Sequence, residues 1–184
     1  LQMLAPIGME IPESGGLPMT SASNPMTSDG MLAVTAGSHT AGETEELPRW
    51  QAICIRTADG VWHNPVDTNT LNPILNDGSF FKGFSKWLGM QDGKVIFQAD
   101  GPDGYGAVYI YDQPSDKLYF IVDTQLKIAD RSILSFEYAG HPLVGNRLAL
   151  MIRFSDGSSG EYLATLPKLP TTVRRKPAAK VEAE

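Results

Sequence analysis

The sequence predicts an all-β fold made of antiparallel hairpins, and three observations support this prediction. No long stretch keeps apolar residues at spacings of three and four, and 18 glycines and 13 prolines interrupt the chain. Short runs rich in β-branched and aromatic residues alternate with turns that contain Asp-Gly or Ser-Asp. The same order of strands and turns also recurs along the chain, which predicts repeated antiparallel β-meanders.

The strand-like runs and their turns define the order of elements. The runs are residues 93–100, 106–113, 117–124, 147–154 and 160–167, and the turns between them are 100–106, 113–117 and 155–160. Residues 79–112 align without a gap to residues 132–165, an offset of 53. We therefore predict repeats of about 53 residues.

A further copy lies upstream, where Asp29-Gly30 supplies the same turn before an apolar strand. Its hairpin is lengthened by the polar residues 39–49, which we predict to form an inserted surface loop. The predicted organisation is therefore three units followed by a flexible or partner-ordered tail at 168–184: unit 1 at 24–75, unit 2 at 79–131 and an incomplete unit 3 at 132–167.

Two copies of Val-Asp-Thr, at residues 66–68 and 122–124, are predicted to close the third strand of successive units. Asp and Thr side chains form hydrogen bonds to nearby backbone groups, so we expect them to cap the chain as it leaves the sheet. The competing interpretation is a catalytic Asp, but no nucleophile or base pattern accompanies either copy.

Unit 3 lacks the strand that ends units 1 and 2, and residues 1–14 align with that strand in unit 2 at an offset of 117. This arrangement is typical of a β-propeller, in which a strand from one terminus completes the sheet begun by the other. We predict that the N-terminal strand completes the last unit, in the same chain or in a neighbouring subunit. The chain is then expected to form a homo-oligomer, ring or filament. The residues of the assembly strand and its partner strand are Leu1, Met3, Leu4, Ile7, Tyr162 and Leu163.

The repeat resembles the choice-of-anchor, NxxGxxAF-containing tandem-repeat family of exported bacterial proteins, over roughly residues 1–167. The matching residues are Gly30, Ala33-Val34, Gly93, Ile96-Phe97, Asn146, Ala149-Leu150, Ala107-Val108-Tyr109, Glu161-Tyr162-Leu163, the two Val-Asp-Thr segments and Ile11-Pro12. Thr27, Met90 and Leu143 stand where the family has asparagine. The resemblance implies a β-propeller-like repeat in a secreted or cell-surface protein, and it implies no catalytic residue.

Composition narrows the classes of partner. The net charge is -6 and no basic stripe precedes the tail, so we expect no nucleic-acid binding. No apolar run has the roughly 18 to 20 residues needed to span a bilayer.

The chain begins at Leu1, which suggests a processed protein or a piece of a longer one. Cys54 is the only cysteine, and its apolar surroundings predict a buried side chain.

Few residues have the pattern of a chemical site. The three histidines, His39, His63 and His141, have no local spacing typical of zinc ligands. The turns at 100–104 and 155–157 could hold calcium only with further oxygen ligands from elsewhere in the chain, because calcium takes roughly six to eight oxygens. We therefore predict no cofactor and no enzyme. Flat rings that could stack on a glycan are Trp50, Trp62, Trp87, Tyr105, Tyr109, Tyr119 and Tyr162.

The function that we predict is that of a non-enzymatic extracellular structural or interaction protein, self-assembling by strand exchange. The alternatives are a module that binds glycans or surface polymers, and a viral capsid or spike subunit.

Overall fold

The computed structural model describes residues 7–39, 50–72, 78–100 and 106–166. The predicted inserted loop, apart from His39, and the predicted tail lie outside these residues. The described part is all-β and contains no α-helix, which confirms the predicted class. Its strands are β1 (Ser21–Ser28), β2 (Met31–Ser38), β3 (Trp50–Arg56), β4 (Trp62–Asp67), β5 (Gly83–Gln91), β6 (Lys94–Asp100), β7 (Gly106–Asp112), β8 (Lys117–Asp123), β9 (Lys127–Ile128), β10 (Arg131–Glu137), β11 (Leu143–Val144), β12 (Arg147–Phe154) and β13 (Ser159–Thr165).

These strands form three antiparallel sheets. The first sheet has the order β1-β2-β3-β4 and the second sheet has the order β5-β6-β7-β8. In the third sheet β12 is central, with β10 and β11 on one side and β13 on the other, while β9 pairs with the start of β10. In the described part of the chain the sheets close neither into a barrel nor into a ring.

The predicted Asp-Gly turns connect the first two strands of the first and second sheets. Asp29 and Gly30 have φ angles of 54° and 76°, and Asp92 and Gly93 have φ angles of 51° and 72°. Two successive positive φ angles define the type I′ turn, whose twist matches that of the flanking strands. At Gly93 a side chain is also excluded by space, because an added Cβ would lie 3.0 Å from Pro114.

The first long strand of each sheet contains a β-bulge. The register shifts lie between Ser23 and Met26 in β1, between Phe84 and Leu88 in β5, and between Ile133 and Ser135 in β10. A bulge leaves residues unpaired and turns their side chains away from the regular alternation. Each of these three strands therefore presents side chains at its sheet edge that regular pairing would place on a face.

The second sheet packs between the other two, with a separate core on each face. Phe97 and Tyr109 contribute to the core against the first sheet, where their rings stack at 5.5 Å between centroids. Ile96 and Val108, one residue away in each strand, contribute to the core against the third sheet. This alternation follows from the two-residue period of a strand, and it makes the second sheet apolar on both faces.

Side chains also connect each sheet to the next through backbone carbonyls. Thr35 Oγ1 donates a hydrogen bond to the carbonyl oxygen of Ser85 at 2.9 Å, and Gln98 Nε2 donates one to that of Phe136 at 3.0 Å. Both donors lie in the second strand of a sheet, and both acceptors lie in the first long strand of the following sheet. These bonds fix the position of each sheet on its neighbour.

The N-terminal segment packs on the first sheet. Glu10 and Pro18 form an antiparallel bridge, and the fully buried Ile11 and Met19 join a core cluster with residues of β2 and β3 that includes Cys54. The described part of the predicted displaced strand, residues 7–14, therefore contributes to the first sheet. Leu1, Met3 and Leu4 lie outside the described residues, so their pairing stays a prediction.

Candidate functional site at the third sheet

The strand β13 has an open edge. It pairs with β12 from Arg147↔Thr165 to Arg153↔Ser159, and no described strand pairs with its other side. In the first and second sheets the third strands, β3 and β7, are paired on both sides, with β4 and β8 as their outer neighbours. An open edge presents unpaired backbone N–H and C=O groups, which are a template for another strand.

The predicted partner residues lie on this strand. Leu163 is 51% exposed, whereas Tyr162 is partly buried and packs against Phe154. The hydroxyl of Tyr162 accepts a hydrogen bond from Arg131 Nη2 at 3.1 Å. Ile7, the described member of the predicted assembly strand, is exposed next to the N-terminal turn on the first sheet. Leu163 therefore offers an accessible apolar contact beside the open edge.

The outer face of the third sheet is turned away from the second sheet. A groove of about 670 Å³ runs along this face, and Leu134 and Leu163 are exposed there. Glu137 Oε1 and Arg153 Nε form an ion pair of 2.8 Å on the same face. The residues of the groove are Glu137, Tyr138, Ala139, Ala149, Leu150, Met151, Glu161, Tyr162 and Leu163.

The sequence of β12 explains part of this openness. Met151 of β12 aligns with Gln98 of β6, and Gln98 aligns with Thr35 of β2. Thr35 and Gln98 each donate a hydrogen bond to the next sheet, but the methionine side chain has no such donor. An apolar, half-buried residue at this position favours a partner that packs against it.

A smaller cleft lies at the junction of the second and third sheets. It measures about 350 Å³ and is lined by Trp87, Gln98, Phe136, Glu137 and Tyr138. The hydroxyl of Tyr138 donates to the carbonyl oxygen of Trp87 at 3.1 Å, and burial raises the pKa of that hydroxyl well above its usual value. This hydrogen bond connects the residue after β10 to the backbone of β5 at the cleft.

The two Val-Asp-Thr segments have structural roles. Asp67 Oδ1 accepts hydrogen bonds from the backbone N–H of Asn69 at 2.9 Å and from Thr70 Oγ1 at 3.0 Å. Asp123 Oδ1 accepts bonds from the backbone N–H groups of Gln125 at 3.0 Å and Leu126 at 3.2 Å. These bonds confirm the prediction that each Asp caps the chain where it leaves its sheet. The prediction that the capped strand is the third of its unit is wrong, because Asp67 and Asp123 end the fourth strands β4 and β8.

Several other candidate groups are also used by the fold or lie outside the described residues, and His63 is exposed on β4. A ring nitrogen of His141 lies 2.8 Å from the carbonyl oxygen of Met90, and Asp156 accepts bonds from Ser158 that lower its pKa. Residues 101–105, including Tyr105, are outside the described part. Among the described residues no three His, Cys, Asp or Glu side chains group as metal ligands, and no helix is long and apolar enough to cross a bilayer.

The predicted aromatic platform is divided by the fold. Trp50 and Tyr109 are buried in the cores, whereas Trp62, Tyr119 and Tyr162 are partly buried. Trp87 is 70% exposed beside the smaller cleft. Glu137 also lines this cleft and forms its ion pair with Arg153. The sequence did not predict that Glu137 lies near Trp87, because the two residues belong to different sheets.

Comparison of the sequence with models of known protein families gives no match, and comparison with curated proteins gives none either. The function is therefore inferred from the geometry of the described residues.

Proposed function

We propose that this protein is a β-propeller-like structural module that assembles with copies of itself by strand exchange at the open edge of β13. The observation that carries the proposal is that β13 is paired on one side only, among the described residues, whereas β3 and β7 are paired on both. Pairing with a strand from another copy satisfies the backbone groups of that edge.

Recurring details support the treatment of the sheets as copies of one unit. The Asp-Gly turns and the bulged first strands recur in the first and second sheets. The hydrogen bonds where the chain leaves the fourth strand recur as well. The backbone N–H of Thr68 donates to the carbonyl oxygen of Gln51 at 3.0 Å, and that of Thr124 donates to Gly106 at 3.0 Å. In both sheets the acceptor lies at the start of the third strand, so equivalent residues form equivalent bonds.

The turn before each sheet supports the proposal that residues 1–6 are the donor segment. Glu13 and Asp130 both have positive φ angles, 59° and 62°, and each follows a short extended segment that ends near an isoleucine, Ile11 or Ile128. Because β8 precedes Ile128 along the chain, the same offset of 117 aligns residues 1–6 with residues 118–123 of β8, the fourth strand of the second sheet. Leu1, Met3 and Leu4 give this segment the apolar composition of a strand.

The fold favours exchange between copies over closure within one chain. Ile11 and Met19 anchor the N-terminal segment on the first sheet, and the second sheet separates the first sheet from the third. Three sheets are also fewer than the roughly four to eight blades of a typical propeller. The donor segment of one copy therefore meets β13 of the next copy, and repetition gives a ring or a filament. The resemblance to exported bacterial repeat proteins supports the proposal that this assembly forms outside the cell.

Deletion of residues 1–6 tests the proposal. We expect the whole chain to show a mass several times its 20.0 kDa by size-exclusion chromatography with light scattering, and the deletion variant to run as a monomer. The matched control removes six residues from the other end, 179–184, and keeps the oligomer. A peptide of residues 1–8 should then bind the deletion variant but not the whole chain. A monomeric whole chain, or an oligomer that survives the deletion, would contradict the proposal.

A further inference from the structure

We propose that the cleft at the junction of the second and third sheets binds an uncharged saccharide, with the indole of Trp87 as the stacking surface and Glu137 as a hydrogen-bond acceptor. This site is formed by β5, β6 and β10 and the residue after β10, and it does not include the edge of β13. It therefore adds a binding activity to the proposed assembly and can be tested independently of it.

The bulge in β5 presents Trp87 to solvent. Phe84 pairs with Ala99 and Leu88 pairs with Phe97, so Ser85, Lys86 and Trp87 all lie opposite the single residue Gln98. The strand must therefore protrude at this point, and the Trp87 side chain is 70% exposed. Bulges commonly redirect a side chain in this way next to functional sites.

Both polar backbone groups of Trp87, the N–H and the carbonyl oxygen, form hydrogen bonds with side chains. Its N–H donates to Ser85 Oγ at 3.2 Å, and its carbonyl oxygen accepts from the Tyr138 hydroxyl at 3.1 Å. The exposed ring thus extends from a fixed backbone, so little conformational entropy is lost when a ligand stacks on it.

Packing of the sheets does not explain the position of this tryptophan. The core between the first and second sheets is filled at this level by Phe84, Leu88 and Phe97, all buried. A large aromatic side chain that is left in water beside a cleft is characteristic of a binding surface. The cleft volume of about 350 Å³ lies within the range of small-molecule sites, roughly 300–1,000 Å³.

Polar groups beside the ring are positioned to accept hydrogen bonds. Arg153 Nε holds Glu137 Oε1 at 2.8 Å, which orients the carboxylate and leaves its second oxygen as an acceptor. Gln98 Nε2 donates to the carbonyl oxygen of Phe136, which orients the amide at the wall of the cleft. An oriented carboxylate acceptor next to an aromatic face matches a sugar ring, which has C–H groups on one face and hydroxyl donors at its rim.

The charges of the cleft favour a neutral ligand. The charge of Glu137 is balanced by Arg153, so the cleft attracts neither a cation nor an anion strongly. A nucleotide could also stack on an indole, but its phosphates would meet a protein of net charge -6. A saccharide combines the apolar face, the hydroxyl donors and the absence of charge that these groups require.

Calorimetric titration with five uncharged hexasaccharides tests this site: cellohexaose, maltohexaose, laminarihexaose, xylohexaose and hexa-N-acetylchitohexaose. We expect at least one of them to bind the whole chain and to shift its tryptophan fluorescence to shorter wavelength, because stacking removes the exposed indole from water. Trp87→Ala should weaken that binding about tenfold or more. Glu137→Gln should weaken it less, since the amide keeps an acceptor oxygen. Trp62→Phe is the matched control and should leave the affinity unchanged.

The outcomes separate a saccharide site from other uses of Trp87. Absence of binding by all five sugars overturns the proposal, and so does equal affinity in the Trp87→Ala variant. If that variant instead loses its oligomeric state while no sugar binds, Trp87 is a protein contact and the proposal is wrong. If Trp87→Ala does not fold, Trp87→Phe keeps the test available, because a smaller ring should give an intermediate affinity.

Discussion

Phe97→Ala is expected to lower the free energy of unfolding by about 3–5 kcal/mol, the usual cost of removing a buried phenylalanine side chain. Phe97 is fully buried between the first and second sheets. Its ring lies 5.5 Å from that of Tyr109 and 5.8 Å from that of Phe84, measured between centroids. Strands of the first and second sheets hold these rings in place. The neighbouring side chains can therefore fill only part of the cavity that the substitution leaves.

Urea unfolding followed by circular dichroism measures this effect. Phe120→Ala is the matched control, because Phe120 packs at the edge of the same cluster and is only partly buried. Its loss should cost clearly less, about 1–2 kcal/mol, since less apolar surface returns to water. Equal destabilisation by the two substitutions would show that the core between these sheets is not centred on Phe97.

Asp67→Ala should be the second most damaging change, with a loss of about 2–4 kcal/mol. The Asp67 side chain is buried, and its two oxygens accept bonds from Asn69 N–H, Thr70 Oγ1 and, at 3.2 Å, Asn64 Nδ2. Substitution by alanine leaves the buried donors of Asn64 and Thr70 without their charged acceptor. Removing one member of a buried polar network costs more than the net value of its bonds.

The second Val-Asp-Thr segment supplies the control. Asp123 makes the same type of turn but is partly exposed, so water can replace the carboxylate when Asp123→Ala removes it. We expect a loss of about 1 kcal/mol there, measured by the same urea titration. Equal effects at the two positions would mean that burial does not set the cost of losing this cap.

Local sequence was sufficient for the hairpins and their caps. Asp-Gly predicts a two-residue turn because these residues tolerate positive φ, and the structure has that turn at both Asp29-Gly30 and Asp92-Gly93. Pro65 lies at a register shift in β4, an edge strand where a missing N–H is tolerated. These features depend on a few neighbouring residues, so they can be predicted from the local sequence.

Features that depend on distant pairing were not predictable in the same way. The offset that placed Ile11 on Ile128 identified similar local segments, but it could not show that Ile11 is buried against the first sheet. Trp87 was one of seven aromatic candidates, and its exposure results from the register between β5 and β6. Glu137 and Arg153 form an ion pair because the register between β10 and β12 brings them close together. Each of these results from contacts between separate strands.

Hydrogen exchange of residues 159–165 tests the proposed assembly most directly, because it reports on the backbone of β13 itself. The exchange of these amides should be measured by mass spectrometry at low and high protein concentration, for the whole chain and for the variant without residues 1–6. If the open edge receives the N-terminal strand of another copy, exchange will slow at high concentration in the whole chain and will stay fast in the deletion variant. Exchange rates that are the same at both concentrations, or the same in both proteins, would contradict strand exchange at β13.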